Sequence, residues 1–244
     1  MSDFTSDIDP PGRALAIAAH PDDVEFGAGA TLAKWAAHGC EIMHVVCTDG
    51  SKGSWDPAED TAALVVTRQE EQRAASRVLG GRGRVTFLGW PDGELESGLR
   101  QRMQICAAIR RFRPDVVLGH DPWRRYRLHP DHRHAGFLTV DGIVAARDPH
   151  FFPEQQLEHH RPRHLLLWEA DEPDHVETAD GFVDMKLSAL LAHRSQFRST
   201  MRVDDPDAAD QIGAFRQRVE ARLREHGSLA GVGSGEAFKL IREL

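Results

Sequence analysis

Five short apolar runs, Ala14–Ala19, Ile42–Cys47, Val85–Leu88, Val116–Leu118 and Leu165–Trp168, limit most strongly what this chain can fold into. They are near-continuous rather than alternating, the pattern of strands covered on both faces of a parallel sheet. Helix-length segments separate them. Thr31–His38 carries Leu32, Trp35 and Ala36 and stops at Gly39, while Thr61–Leu79 stops at Gly80-Gly81; glycine commonly ends a helix. Leu99–Phe112 spaces Met103, Cys106, Ile109 and Phe112 by threes before Pro114, and His132–Ala146 is the next candidate. Alternation of this kind predicts an α/β fold: a Rossmann-like, doubly wound, mostly parallel sheet with strand order 3-2-1-4-5 and helices on both faces.

Residues 1–13, acidic and proline-containing, read as a disordered lead-in, and 14–244 as a single domain. Pro149, Pro153 and Pro162 make 148–163 a connection. Two further helices are expected over Gly181–Ser195 and Pro206–His226, then a glycine-rich loop over Gly227–Gly235, so that the last third flanks or caps the sheet.

Charge and cysteine usage narrow the setting. With 38 acidic against 30 basic side chains the chain carries a formal −8, which disfavours a nucleic-acid partner. No apolar stretch is long enough to cross a bilayer, and the polar start lacks the features of a secretory signal. Cys40, Cys47 and Cys106 form no C-x-x-C pair. A reducing, cytoplasmic setting is therefore expected. Whether the protein forms a homo-oligomer is left open.

The 14 histidines matter through two places. His20-Pro21-Asp22-Asp23 ends the first strand, and His129-Pro130-Asp131-His132 follows the fourth. A residue before proline is pushed to extended backbone, and proline itself suits a first helical turn. Each motif thus sits on a strand-to-helix turn, with its acids near a helix start. Asp22, Asp23 and Glu25 fit ordinary helix-start chemistry; they equally fit a cation site, since three acids in four residues repel one another. In the expected topology the first and fourth strands are neighbours, and ligands bind at their carboxyl ends. His20, Asp23 and His132 should then converge. Two imidazoles and a carboxylate leave positions open on an ion, suiting Zn²⁺ best, with Fe²⁺ as the other fit.

These residues resemble the PIG-L/LmbE-like zinc-dependent N-deacetylases, of the N-acetylglucosaminyl de-N-acetylase type. The likeness rests on Ala19-His20-Pro21-Asp22-Asp23 with Gly27-x-Gly29 and Thr31, and on His129-Pro130-Asp131-His132. Arg68-x-x-Glu71, Asp92-Gly93-Glu94-Leu95, His193-x-Ser195-Gln196 and Gly235-Glu236-Ala237-Phe238 add to it; Ala30 departs from a common second glycine. The resemblance implies zinc on His20, Asp23 and His132, Asp22 as general base, and His129 as oxyanion stabiliser or proton donor. It further implies Asp131 orienting that histidine, and Arg68 and Asp92 facing substrate hydroxyls.

The implied activity is removal of an N-acetyl or other N-acyl group from an amino sugar or sugar-bearing small molecule. A zinc amidase acting on thiol conjugates, of the mycothiol-conjugate type, is the alternative. A nucleotide- or sugar-binding module is disfavoured because no G-x-G-x-x-G or P-loop sequence follows a strand. The Asp121–Leu128 loop, DPWRRYRL, precedes the second motif. Its Tyr126 and Trp123 read either as a wall for a sugar face or as part of a solvated, arginine-rich loop. His120 ends the fourth strand and is a candidate for supporting the metal; most other histidines read as surface or packed side chains.

Overall fold

The computed structural model describes residues 4–244. Its eight strands form one sheet: β1 (Thr5–Ser6), β2 (Arg13–Ala18), β3 (Glu41–Thr48), β4 (Val85–Trp90), β5 (Val116–His120), β6 (His164–Trp168), β7 (His175–Thr178) and β8 (Gly235–Arg242). Their spatial order is β1-β7-β8-β6-β5-β2-β3-β4. The five apolar runs therefore lie side by side as β4-β3-β2-β5-β6, all parallel, with β2 between β3 and β5.

Alternate side chains of the central strands serve opposite faces. Leu15 and Ile17 of β2 join Val45, Val117 and Leu165 in a core with Ile105, Ile109 and Leu138 of α3 (Leu99–Phe112) and α4 (Pro130–Arg147). Ala14, Ala16 and Ala18 face the other way, against Val24, Leu32 and Trp35 of α1 (Asp23–Ala37). Small residues on that face let α1 approach closely. Gly27 takes this furthest: a Cβ there would fall 2.5 Å from the Trp168 ring. Gly27 thus serves helix–sheet packing, while Gly29 makes room for the Lys186 side chain.

α1 is interrupted at Ala28, whose φ of −145° is not helical. The second half restarts on the Glu236 carboxylate, which accepts from Ala30 N at 3.1 Å and Thr31 N at 2.8 Å. Lys186 pairs with that carboxylate. Glu236 lies on β8, so the C-terminal Gly-Glu-Ala-Phe segment holds the helix that opens the site. α2 (Thr61–Val78) starts on Asp60, whose side chain accepts from Ala62 N and Ala63 N. Glu71 of α2 accepts from Ser195 N at 2.8 Å and Ser195 Oγ at 2.6 Å, linking two of the sequence motifs.

Three expectations need correction. From Phe4 onward the expected disordered lead-in is ordered, because β1 pairs with β7 and Lys34 pairs with Asp7; Met1–Asp3 lie outside the described residues. The last third does more than flank the sheet, since β8 inserts antiparallel between β6 and β7. The expected final helices are α5 (Val183–Leu190) and α6 (Ala209–Leu229), so helix runs into the start of the predicted glycine-rich loop. Among the described residues no helix is long and apolar enough to cross a membrane.

Candidate active site

The carboxyl ends of β2 and β5 bring the two histidine motifs together. His20 leaves β2 into the turn before α1, and Pro130 starts α4 with His129 as the residue before it. His20 Nδ1 lies 3.2 Å from His132 Nε2 and 3.4 Å from Asp23 Oδ2, and His132 Nε2 lies 3.3 Å from Asp23 Oδ1. A tetrahedral ion bonded at about 2.0–2.1 Å to such donors sets them roughly 3.3–3.4 Å apart. The trio has that spacing, with the Asp23 carboxylate straddling the two rings. His20, Asp23 and His132 therefore fit a metal ion in donor type and separation. Overlapping groupings, His20–His129–His132 and Asp23–His120–His132, also bring three donors within reach of one ion.

Hydrogen bonds orient these rings. The far nitrogen of His20, Nε2, faces Asp131 Oδ2 at 3.0 Å and Asp92 Oδ1 at 3.2 Å. Asp131 is fully buried, and its oxygens also accept from Gly93 N at 2.6 Å and Leu95 N at 3.1 Å. The first turn of α4 points Asp131 inward, beneath His20, so its hydrogen bonds go there rather than to the expected partner His129, although its charge still acts on the His129 ring. His129 instead stands exposed on the rim, its ring edge-on to His20 at 4.6 Å.

His120 is more central than its lack of a motif suggests. The Trp168 indole donates to its Nδ1 at 3.0 Å, which leaves Nε2 to donate to Asp23 Oδ2 at 3.3 Å. Its position as the last residue of β5, the signal that marked it in the sequence, brings it beside β2. On the other side Arg127 Nη1 lies 2.7 Å from His132 Nδ1, and Arg127 pairs with Glu169.

Asp22 is the carboxylate left over. It is the N-cap of α1 yet makes no side-chain cap hydrogen bond, so helix-start chemistry does not account for it. Arg68 Nη2 is 3.7 Å from its Oδ2. Burial pushes the Asp22 carboxyl up to about 6 against the pull of Arg68. Burial would lower the His20 ring, but its hydrogen bonds to Asp131, Asp23 and Asp92 outweigh that and hold it well above the usual histidine range. His132 is pushed down to about 3, first by burial, and His129 is lowered by burial and by His20.

The remaining predicted residues divide. Asp92 belongs to the cluster through His20, and its Oδ2 accepts from Lys52 N at 3.0 Å. Arg68 is only 3% exposed, and its guanidinium donates to Gly50 O at 2.8 Å and Pro21 O at 2.7 Å. The buried face of α2 carries it inward, to these backbone carbonyls and to the side of Asp22. Tyr126, 87% exposed with φ +60°, stands on the rim apart from the cluster.

Fold and site together define the class: an amide-cleaving enzyme of the deacetylase type, with a His/Asp cluster able to hold a metal ion on an α/β sheet. The family model described as PIG-L, GlcNAc-PI de-N-acetylase, matches residues 15–143, and the chain belongs to that family. A diacetylchitobiose deacetylase of Thermococcus kodakarensis is 33% identical over 188 residues, 76% of this chain and 70% of its own length. A 1D-myo-inositol 2-acetamido-2-deoxy-alpha-D-glucopyranoside deacetylase of Streptomyces avermitilis is 33% identical over 272 residues, covering 96% of this chain and 88% of that protein. Among solved structures, the N,N'-diacetylchitobiose deacetylase from Pyrococcus horikoshii, bound to an inhibitor, superposes with a TM-score of 0.85. It is 28% identical, and the match covers 95% of this chain and 84% of that one.

Proposed function

We propose that this chain is a zinc-dependent N-deacetylase that removes the acetyl group from an N-acetylglucosamine-type sugar or a small molecule bearing one. The observation that carries the reading is the 3.2–3.4 Å spacing of His20, Asp23 and His132 beside a carboxylate, Asp22, that no cap or ion ligand consumes. The names of the similar proteins support the substrate class.

His20, Asp23 and His132 would hold the zinc. When bound, it would supply a Lewis acid for the amide carbonyl and lower the pKa of water to about 7. Asp22 takes a proton from the attacking water. A carboxyl raised to about 6 is a better base near neutrality than an ordinary aspartate. The same proton then passes from Asp22 to the departing amine nitrogen, so one residue serves as base and acid. His129, lowered and therefore neutral near pH 7, donates an N–H to the oxygen on which negative charge develops. Asp131 and Asp92 keep the His20 ring oriented through Nε2. Trp123 and Tyr126, exposed on the loop before the second histidine motif, would offer aromatic faces to the sugar.

Acetate release from N-acetylglucosamine and N,N'-diacetylchitobiose tests this directly. Zinc-loaded protein should release acetate, Asp22→Asn should bind zinc yet lose most turnover, and His132→Ala should lose the metal. Undiminished turnover in Asp22→Asn, or in chelator-treated protein, would sink the reading. Cleavage of a thiol conjugate but of no acetylated sugar would favour the amidase alternative.

A further inference from the structure

We propose that Gln72 and Arg68 form a clamp from α2 that grips one peptide group, Pro21–Asp22, and so position the Asp22 carboxylate for catalysis. The inference rests on the reading of Asp22 as the base. It concerns how α2 holds the backbone that carries the base.

Asp22 has φ +99° and ψ −26°, backbone that side-chain-bearing residues adopt only when their surroundings impose it. The constraint is visible at both ends of the preceding peptide. Its carbonyl, Pro21 O, accepts from Arg68 Nη2 at 2.7 Å, and its N–H, on Asp22, donates to Gln72 Oε1 at 2.9 Å. Arg68 and Gln72 are four apart on α2 and so share one helix face. Holding both polar ends of one planar group fixes its orientation, and with it the direction in which Cα of Asp22 sends its side chain.

Gln72 is itself held. Its Nε2 donates to Glu25 Oε1 at 2.8 Å and lies 3.3 Å from His44 Nδ1. An amide whose nitrogen faces a carboxylate must turn its oxygen the other way, and the other way is the Asp22 N–H. Gln72, Glu25 and His44 are all fully buried. His193 Nε2 lies 3.3 Å from the second Glu25 oxygen, closing the cluster behind the base. Arg68 is fixed at its other arm by Gly50 O. Both arms of the clamp are buried, and Gln72 supplies from α2 the acceptor for the N–H of the residue that begins α1.

Gln72→Met removes the acceptor while keeping the side-chain length. In zinc-loaded protein assayed on N,N'-diacetylchitobiose, it should lower kcat by about 10–100-fold, as misplacement of a reacting group by an ångström does. KM and zinc stoichiometry should stay within about twofold of wild type. In an Asp22→Asn background the same substitution should cause no further loss, because there is no base left to misplace. The exchange Gln72→Glu with Glu25→Gln restores an acceptor for Asp22 N and a donor between the two side chains. It should recover most of the activity, and it serves as the test if Gln72→Met does not fold.

A kcat for Gln72→Met near wild type, with Asp22→Asn inactive, overturns the clamp and leaves the base standing. An equal loss in both backgrounds, or a folded exchange variant as poor as Gln72→Met, also overturns it. Near-wild-type turnover in Asp22→Asn removes the base reading and the clamp with it.

Discussion

Asp131 and His20 share one hydrogen bond of 3.0 Å that ties the second histidine motif to the first from beneath. Asp131 Oδ2 also accepts from Gly93 N, and Oδ1 accepts from Leu95 N. One buried carboxylate thus anchors the loop after β4, the start of α4 and the ring that leaves β2. Such carboxylate–histidine pairs keep a metal-binding imidazole in the right tautomer.

Asp131→Asn should therefore do two things at once. Its amide nitrogen must face one of three donors, leaving a buried group without a partner, which costs about 1–3 kcal/mol. The His20 ring keeps at best a neutral amide oxygen in place of a carboxylate, and zinc affinity should fall about 10–100-fold. Thermal unfolding reads the first effect and competition with a chelator the second. Wild-type zinc affinity in this variant would mean that Asp92, 3.2 Å from the same nitrogen, suffices alone.

The strain at Asp22 has a stability signature separate from catalysis. Glycine adopts φ +99° freely, whereas alanine keeps the steric cost of a left-handed backbone, about 1–2 kcal/mol. Asp22→Gly should accordingly melt about 2–8 °C above Asp22→Ala. Equal melting temperatures would mean that the turn relaxes once the aspartate is gone.

Much of this was readable in advance, and the exceptions share a physical cause. Continuous apolar runs announced β2 to β6, and the two His-Pro-Asp motifs announced where strands end and helices begin. What escaped depends on partners distant in sequence. β8 follows a glycine-containing turn and pairs antiparallel with β6 and β7, so nothing local distinguishes it from a tail. Thr5–Ser6 is a strand only because β7 presents an open edge. Arg68 belongs to a readable motif, but that its guanidinium ends on Pro21 O and Gly50 O follows from which face of α2 is buried. Asp131 turns to His20 because the loop after β4 arrives beneath it, a contact that residue spacing does not encode.

The metal-free protein should show the charge balance of the cluster in its acid unfolding. Burial would raise the Asp92 carboxyl, yet the hydrogen bonds from His20 and from the Lys52 backbone outweigh it and bring it down to about 2. A depressed carboxyl contributes stability that is fully present above its unfolded value of about 3.9 and is lost as pH falls through its folded value. Denaturant unfolding after zinc removal should show wild type losing about 1 kcal/mol more than Asp92→Asn between roughly pH 5 and pH 2. Parallel curves for the two proteins would remove Asp92 from the account.

Arg127 sets two demands against each other at His132. Its guanidinium lies 2.7 Å from Nδ1 and has only N–H groups to offer, so that nitrogen must accept. A histidine that gives Nε2 to a metal keeps its proton on Nδ1 and needs an acceptor there. The positive charge of Arg127 also opposes a divalent cation nearby. Glu169 pairs with Arg127 and lies 3.9 Å from His120 Nδ1, so an acceptor carboxylate stands on the same side of the cluster. Arg127→Met should therefore tighten zinc binding by about 3–10-fold, measured by competition with a chelator of known affinity, and Glu169→Gln should weaken it. Weaker zinc binding in Arg127→Met would show instead that the guanidinium holds His132 in its ligating position.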